Sequence, residues 1–244
     1  MADEETGESI DGRGEPASAA EEPRRELYIP GQMIEGVSLK PGNGTYIYGR
    51  DIYAAQLGVK SVWSDYVNII PLGGRYMPHK GDSVIGIIED IGPSNWLVNI
   101  NAPYPAPLHA SEVPWKVDFG DTARFLNVGD VVVAEVLMVD EMKKVQVTMN
   151  GPQMRKLSQG HIVEIPPSKV PRVIGKSGSM IKMIVNYTKC KLFVGQNGRI
   201  WVDGEPENMI VALKAVRKIE AESHVLGLTD SIKAMLETES QKLG

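Results

Sequence analysis

Val173-Ile174-Gly175-Lys176-Ser177-Gly178-Ser179-Met180-Ile181 is the stretch on which the reading of this chain turns. A short apolar run passes into a helical apolar pattern through a loop of two glycines, a lysine and a serine. Glycine lets a backbone come close to a ligand where a Cβ would collide. A helix N-terminus adds unpaired N–H groups and partial positive charge. The surroundings carry one sign: no acidic residue stands between Glu164 and Asp203, whereas Lys169, Arg172, Lys176, Lys182, Lys189, Lys191 and Arg199 are basic. Such a loop suits a polyanion whose backbone lies against it.

Working outward, Ile162-Val163-Glu164-Ile165 predicts a short strand, Pro166-Pro167 ends it, and Ser168 is a candidate cap for a short helix running to Ile174. Ile181, Ile184, Val185 and Thr188 recur at helical spacing and predict one buried face. Lys191–Val194 and Arg199–Val202 are β-rich runs around Gly195-Gln196-Asn197-Gly198, a hairpin signal. Met209, Ala212, Leu213 and Val216 return to helical spacing. The order strand, helix, G-x-x-G, helix, strand, strand, helix resembles a type I KH domain, with boundaries expected at 152–222. That resemblance implies a clamp on about four nucleotides of single-stranded RNA. Gly175, Lys176, Ser177 and Gly178 would hold the backbone, Arg172 and Lys182 would supply flanking charge, and the Lys191–Val194 strand edge would meet bases.

The whole chain carries 26 basic and 31 acidic side chains, net −5. Residues 1–26 hold nine acidic and three basic groups and read as a disordered acidic tail. From Pro152 to Glu220 the balance is twelve basic to five acidic, so a basic face exists locally. No apolar run is long enough for a membrane span, and the acidic start does not read as a signal peptide. The single cysteine, Cys190, has no internal disulfide partner and reads as a buried thiol in a reducing cytoplasm.

Two β-rich regions precede the glycine loop. Residues 27–78 hold short strands (Val37-Ser38-Leu39, Thr45–Tyr48, Ile52–Ala55, Val59–Trp63, Val67–Ile70) broken by turn residues, a small all-β domain. Residues 79–151 hold longer strands at Ser83–Ile91, Asn95–Ile100, Val131–Val139 and Val145–Met149, and the pairs Gly81-Asp82 and Gly129-Asp130 each turn into a long strand. Strands of this number and alternation suit a small barrel. Leu108-His109-Ala110-Ser111-Glu112-Val113, with Gly86, Ile91-Gly92 and Asn127-Val128-Gly129-Asp130, resembles the S1-type domains, an OB-fold family of RNA binders. The resemblance implies RNA contact through Trp96, His109, Arg124 and the Lys143-Lys144 turn, with aromatic rings stacking on bases. The region is acidic, with ten acidic to five basic groups, and the alternative is a docking or spacer barrel in which Trp96 is a core or interface residue. Residues 223–244 read as a C-terminal helix around Ile232, Met235 and Leu236 that packs on the body. The fold class is therefore multidomain β and α+β: a small N-terminal all-β domain, an S1-type OB-fold β-barrel and a C-terminal KH domain.

The order of the three domains, with Pro41-Gly42-Asn43-Gly44-Thr45-Tyr46, Val67-Asn68-Ile69-Ile70-Pro71-Leu72 and Arg75-Tyr76-x-Pro78-x-x-Gly81-Asp82-x-Val84-Ile85-Gly86, resembles the RNA-binding cap subunit of the archaeal exosome, of the ribosomal-RNA-processing protein four type. The resemblance runs from Leu27 to about Glu222. It implies a non-catalytic subunit, three copies of which sit on a hexameric ring of phosphorolytic subunits of the ribonuclease PH type. The copies would bind single-stranded RNA and feed its 3′ end into the ring. Ring docking would fall to the N-terminal domain, where Tyr46, Tyr48, Tyr53, Trp63 and Tyr66 are concentrated. No DNA target, cofactor or metal is expected, and cytoplasmic location follows. A transcription elongation or antitermination factor also joins S1-type and KH modules. That class follows its barrel with two KH domains and opens with a helical domain, whereas strands open this text.

An enzyme would need chemistry the text lacks. There is no phosphate-binding loop with the G-x-x-x-x-G-K-[ST] pattern, no Cys/His metal spacing, and none of His79, His109, His161 and His224 has a recognisable nucleophile beside it.

Overall fold

The computed structural model describes residues 26–34, 39–223, 225 and 227–243. They form two compact units that part between Ile70 and Pro71. The acidic tail and the strand expected at Val37-Ser38-Leu39 fall outside them except for Glu26 and Leu39.

In the first unit, β1 (Leu27–Tyr28), β2 (Lys40–Pro41), β3 (Thr45–Tyr48), β4 (Asp51–Ala54), β5 (Gly58–Trp63) and β6 (Tyr66–Pro71) form a sheet of order β1-β5-β6-β2 and a separate β3–β4 hairpin. Alternation decides the faces: Val67 and Ile69 are buried while Tyr66 and Ile70 are exposed, as a period of two requires. The core is small, made of Tyr28, Ile34, Ile52, Ala54, Val67 and Ile69 with Leu39 against it. Tyr46, Ile47, Tyr48 and Tyr66 stay exposed, and Tyr46 stacks on Tyr53 at 5.7 Å.

The second unit opens with a barrel. Its strands are β7 (Ser83–Ile91), β8 (Asn95–Asn99), β9 (Ala106–His109), β10 (Val131–Val139), β11 (Val145–Thr148) and β12 (Arg155–Leu157), in the order β11-β9-β8-β7-β10-β12. β11 pairs parallel to β9 and antiparallel to β10, which closes five strands into the OB arrangement. The two Gly-Asp pairs build the same turn: Asp82 Oδ2 accepts the His79 N–H (2.9 Å) and Asp130 Oδ2 accepts the Asn127 N–H (2.7 Å). Asp82 also accepts the Tyr76 hydroxyl at 2.6 Å, and Tyr76 lies in the barrel core. The first boundary therefore falls before Tyr76, not at the expected residue 78. The last barrel strand, β12, lies past the expected end at 151.

The KH part follows as β13 (His161–Glu164), α1 (Val170–Ile174), α2 (Ser179–Thr188), β14 (Lys191–Val194), β15 (Arg199–Asp203) and α3 (Pro206–Ala221), with sheet order β13-β15-β14. One face of that sheet carries the helices, through Ile200 and Val202 onto Val173, Ile184, Ala212 and Val216. The opposite face, through Trp201, Ile162 and Phe193, meets Ile85, Val133 and Leu157 of the barrel. The C-terminal helix α4 (Leu228–Leu243) buries Leu228, Ile232 and Leu236 in the same core. Cys190 is buried there too, and burial pushes its thiol pKa up. Ser168 lies within a 3-10 turn (Pro167–Lys169) and caps no helix, because that turn continues directly into α1.

Candidate nucleic-acid interface

The glycine loop joins α1 to α2 through Lys176–Gly178. Gly175 N–H donates to Pro171 O, Gly178 N–H to Gly175 O and Ser179 N–H to Lys176 O, so the loop is a closed, bonded turn. Gly175 has φ 72°, ψ 173°, a region essentially reserved for glycine. A Cβ there would stand 2.8 Å from the Met180 backbone N. Gly178 is left-handed at φ 77°, but a Cβ there would meet nothing closer than 3.7 Å. Gly175→Ala should therefore lower stability more than Gly178→Ala. The left-handed strain at 178 costs about 1–2 kcal/mol, and at 175 a backbone collision adds to a comparable strain. Urea unfolding midpoints of the two variants check the order; equal midpoints would show that the loop relaxes freely.

The loop presents Lys176 and Ser177 to solvent, and Lys182 is exposed one turn into α2, its ammonium 3.5 Å from Ser177 O. The other basic groups of the acid-free stretch are differently used. Arg172 is exposed, but its Nε and an NH2 group donate to Ser223 O (2.8 Å) and Val225 O (3.4 Å), tying α1 to the chain beyond α3. Lys169 donates to Glu220 O, and Lys191 pairs with Asp203. Arg199 is buried in the joint with the barrel and offers nothing to a phosphate.

The buried stripe of α2 is Met180, Ile184 and Thr188. Ile184 and Thr188 of the expected face are therefore buried, whereas Ile181 and Val185 are only half buried and Met180 joins from the other flank. Beside α2 in the domain, β14 is an edge strand whose outer side pairs with no other strand among the described residues.

The hairpin loop Gly195–Gly198 plugs into the barrel. Gln196 N–H donates to Ser83 O (2.9 Å), and Gln196 Oε1 accepts the Ser83 N–H (2.6 Å). Asn197 is fully buried; its Nδ2 donates to Ile85 O (2.8 Å) and Ile100 O (2.9 Å), and its Oδ1 accepts the Ile85 N–H. Arg199 donates to Asn99 O, Asn99 Oδ1, Ile85 O and Glu164 Oε1. The KH sheet and barrel are thereby locked in one orientation. A buried donor or acceptor must keep its partner, and a hydropathy pattern shows no sign of this requirement.

In the barrel, Trp96 is a correction. Its ring is 0% exposed within the core, and its Nε1–H donates to Leu126 O at 3.2 Å, so no base can stack on it. His109 is exposed at the end of β9, and Arg124 is exposed and paired with Asp121 at 3.1 Å. Both approach the β7–β8 turn: Ala110 N–H donates to Ser94 O and Thr122 Oγ1 to Gly92 O. Lys143 and Lys144 are exposed in the β10–β11 turn. β11 runs parallel to β9 with Val147 beside Leu108, so that turn lies at the opposite end of the strands from His109. The four expected barrel contacts therefore do not form one surface. Aromatic groups that sequence reasoning left out lie in the β9–β10 connection: Phe119, largely in solvent, and the stacked pair Trp115–Phe125 at 6.0 Å. Their signal is three rings within eleven residues of a turn-rich segment.

A closed OB barrel locked to a type I KH domain with an open G-x-x-G loop places the chain in the S1–KH class of RNA-binding architectures. The KH domain family profile matches residues 160–208, and the Rrp4 S1 domain profile matches residues 75–137. The exosome complex component Rrp4 of Methanosarcina mazei is 44% identical over 89% of this chain and 84% of its own length. That of Picrophilus torridus is 42% identical over 87% and 93%, and that of Pyrococcus abyssi 41% over 90% and 85%. A crystal structure ascribed to an exosome complex RNA-binding protein superposes with a TM-score of 0.65 at 36% identity, covering 70% of this chain and all of its own. The chain belongs to the exosome complex component Rrp4 family.

Proposed function

We propose that this chain is a non-catalytic RNA-binding cap subunit of an exosome, recruiting single-stranded RNA and directing its 3′ end into a phosphorolytic ring for 3′-to-5′ degradation and processing. The observation that carries the reading is the solvent-open Gly175–Gly178 loop with Lys176, Ser177 and Lys182 around it, on a chain whose relatives are named exosome components. Gly175, Lys176, Ser177 and Gly178 clamp the backbone, Lys182 adds charge, and the β14 edge meets bases. Arg172 shares itself between this role and the carbonyls of Ser223 and Val225.

Docking to ring subunits of the ribonuclease PH type falls to the N-terminal unit. Its small core leaves Leu27, Ile29, Tyr46, Ile47, Tyr48 and Tyr66 exposed, and aromatic and aliphatic anchors of this kind are common at interfaces. Three copies on one hexameric ring would raise the effective concentration of a single weak KH site. No described helix is long and apolar enough to cross a membrane, and a cytoplasmic location goes with the proposed role. A transcription elongation or antitermination factor fits less well, because the first unit is built from strands.

Mixing the chain with candidate ring subunits tests this. The complex mass should correspond to three caps on six ring subunits, and labelled RNA should decay faster with the cap than without it. The chain alone, given phosphate and magnesium, should leave RNA intact. Phosphate-dependent degradation that survives repurification would refute the non-catalytic role, and recovery of RNA polymerase in place of ring subunits would refute the partner.

A further inference from the structure

The chain contains three Asn-Gly steps, Asn43-Gly44, Asn150-Gly151 and Asn197-Gly198, and the fold treats them differently. The pairing is chemically reactive as well as turn-forming. A glycine carries no Cβ to hinder its backbone nitrogen from approaching the preceding carboxamide carbon. When it does, a bond forms from the glycine N to the asparagine Cγ, the Cγ–Nδ2 bond breaks, and ammonia leaves with the amide proton. Water then adds across one of the two C–N bonds of the cyclic imide. Opening at the side-chain carbonyl gives aspartate, and opening at the backbone carbonyl gives isoaspartate. In a folded chain the first step is governed by what holds the carboxamide and the nitrogen.

Asn197 is held completely. Its carboxamide is buried and bonded to Ile85 and Ile100, and the Gly198 N–H donates to Gly195 O at 3.1 Å. Asn150 is exposed and held by one long contact, from Nδ2 to Ser111 O at 3.4 Å. Asn43 is exposed and its reacting groups are not held at all. Among the described residues, neither the Asn43 carboxamide nor the Gly44 N–H joins a hydrogen bond. Everything else in that turn is bonded. Asn43 N–H donates to Asn68 Oδ1 (2.8 Å), Asn43 O accepts the Ile69 N–H (2.9 Å), Gly42 N–H donates to Val67 O (2.9 Å), and Gly44 O accepts the Ala55 N–H (2.8 Å).

We infer that Asn43-Gly44 is a site of spontaneous deamidation, and that the isoaspartate formed there loosens the first unit. Isoaspartate routes the main chain through its side chain and lengthens it by one carbon, about 1.5 Å. The former Asn43 carbonyl becomes a carboxylate beside the chain, so the bonds from Asn43 N–H and to Asn43 O can no longer both be made. Those bonds tie the turn to β6, whose Val67 and Ile69 are two of the six buried residues of a small core. The step needs only water, and a solvent-exposed turn supplies it. The inference goes beyond the RNA reading and does not depend on it. It bears on the unit to which docking is assigned above.

The test ages the full chain and its N43Q and N43D variants in warm, mildly alkaline buffer. Peptide mass mapping locates each conversion, and an isoaspartate-specific methyltransferase labels the isoaspartyl product. Conversion should appear first in the Asn43 peptide, later in the Asn150 peptide, and in the Asn197 peptide only when the chain is unfolded in urea. In the aged parent, hydrogen exchange should quicken at the Ile69 N–H, as local opening requires, while exchange in α2 stays unchanged. N43Q should age without that change. N43D, which gains the charge but keeps the normal backbone, should exchange at Ile69 as the fresh parent does. Retention of the Asn43 amide while Asn150 converts, or equal conversion at Asn43 and Asn197 in the folded chain, would overturn the site. Isoaspartate at Asn43 with unchanged exchange at Ile69 would overturn the loosening. Exchange in fresh N43D as fast as in the aged parent would make charge the cause and overturn the backbone argument.

Discussion

Replacing Lys176 and Ser177 together by aspartate is expected to weaken single-stranded RNA binding by about a hundredfold or more at low salt while leaving the fold intact. Removing one hydrogen bond to a charged group is worth about 1.5–3 kcal/mol, or roughly ten- to a hundredfold, and two like charges facing the phosphates add to that. Each phosphate that the variant no longer neutralises should also lower the slope of log affinity against log salt by about 0.7 for a single strand. The fold should tolerate the change. Both side chains are exposed, and among the described residues neither joins an ion pair or side-chain hydrogen bond. Ser177 has φ 53°, a left-handed conformation that aspartate adopts more readily than most residues. Filter binding or anisotropy across a salt series gives both numbers, and urea unfolding provides the control. Parent-like affinity and slope in a folded double variant would show that RNA is gripped elsewhere.

The features read well from the text are those with a local cause. The G-x-x-G loop, the hairpin around Gly195–Gly198 and the long strands β7 and β10 stand where turn chemistry and apolar spacing place them. The misreadings share a different cause. β9 is masked by Pro105 and Pro107, and β12 by its two basic residues, yet both form because a neighbouring strand holds them in register. Trp96 is the right residue type for a stacking face, but the parity of β8 turns it inward with Val98. Parity cannot be judged from type. α2 buries Ile184 and Thr188 as expected but adds Met180 and leaves Ile181 and Val185 half buried, because the flanks of an apolar helix are decided by what packs on it. Arg199 is the sharpest case. A basic residue in a basic stretch reads as surface, and its guanidinium is instead spent on carbonyls of another module.

That joint supports the second large effect. Asn197→Ala should destabilise the protein by about 3 kcal/mol, since buried polar groups left without partners cost about 1–3 kcal/mol each and the losses overlap. The Ile85 N–H and the Ile100 O would lose the side-chain amide, which is 0% exposed, whereas the Ile85 O that it also serves keeps Arg199. An aspartate in its place could accept from Ile85 N–H but could not donate to either carbonyl, so Asn197→Asp should be no milder. For a chain of this size each kcal/mol moves the melting midpoint by about 2–4 °C, and a fall of about 6–12 °C is expected. The loss should be concentrated at the joint. Hydrogen exchange should accelerate at Ile85 and, as the hairpin loop loosens, at Ser83, whose N–H groups donate to the side chains of Asn197 and Gln196 respectively. Exchange within α2 and α3, whose bonds lie inside the KH domain, should change less. RNA of clamp length should bind nearly as before, because the Gly175–Gly178 loop lies on the helical side of the KH sheet, away from the barrel face. A variant as stable as the parent, with unchanged exchange at Ile85, would show that the amide contributes nothing to the joint and that apolar packing through Trp201 and Leu157 holds it alone.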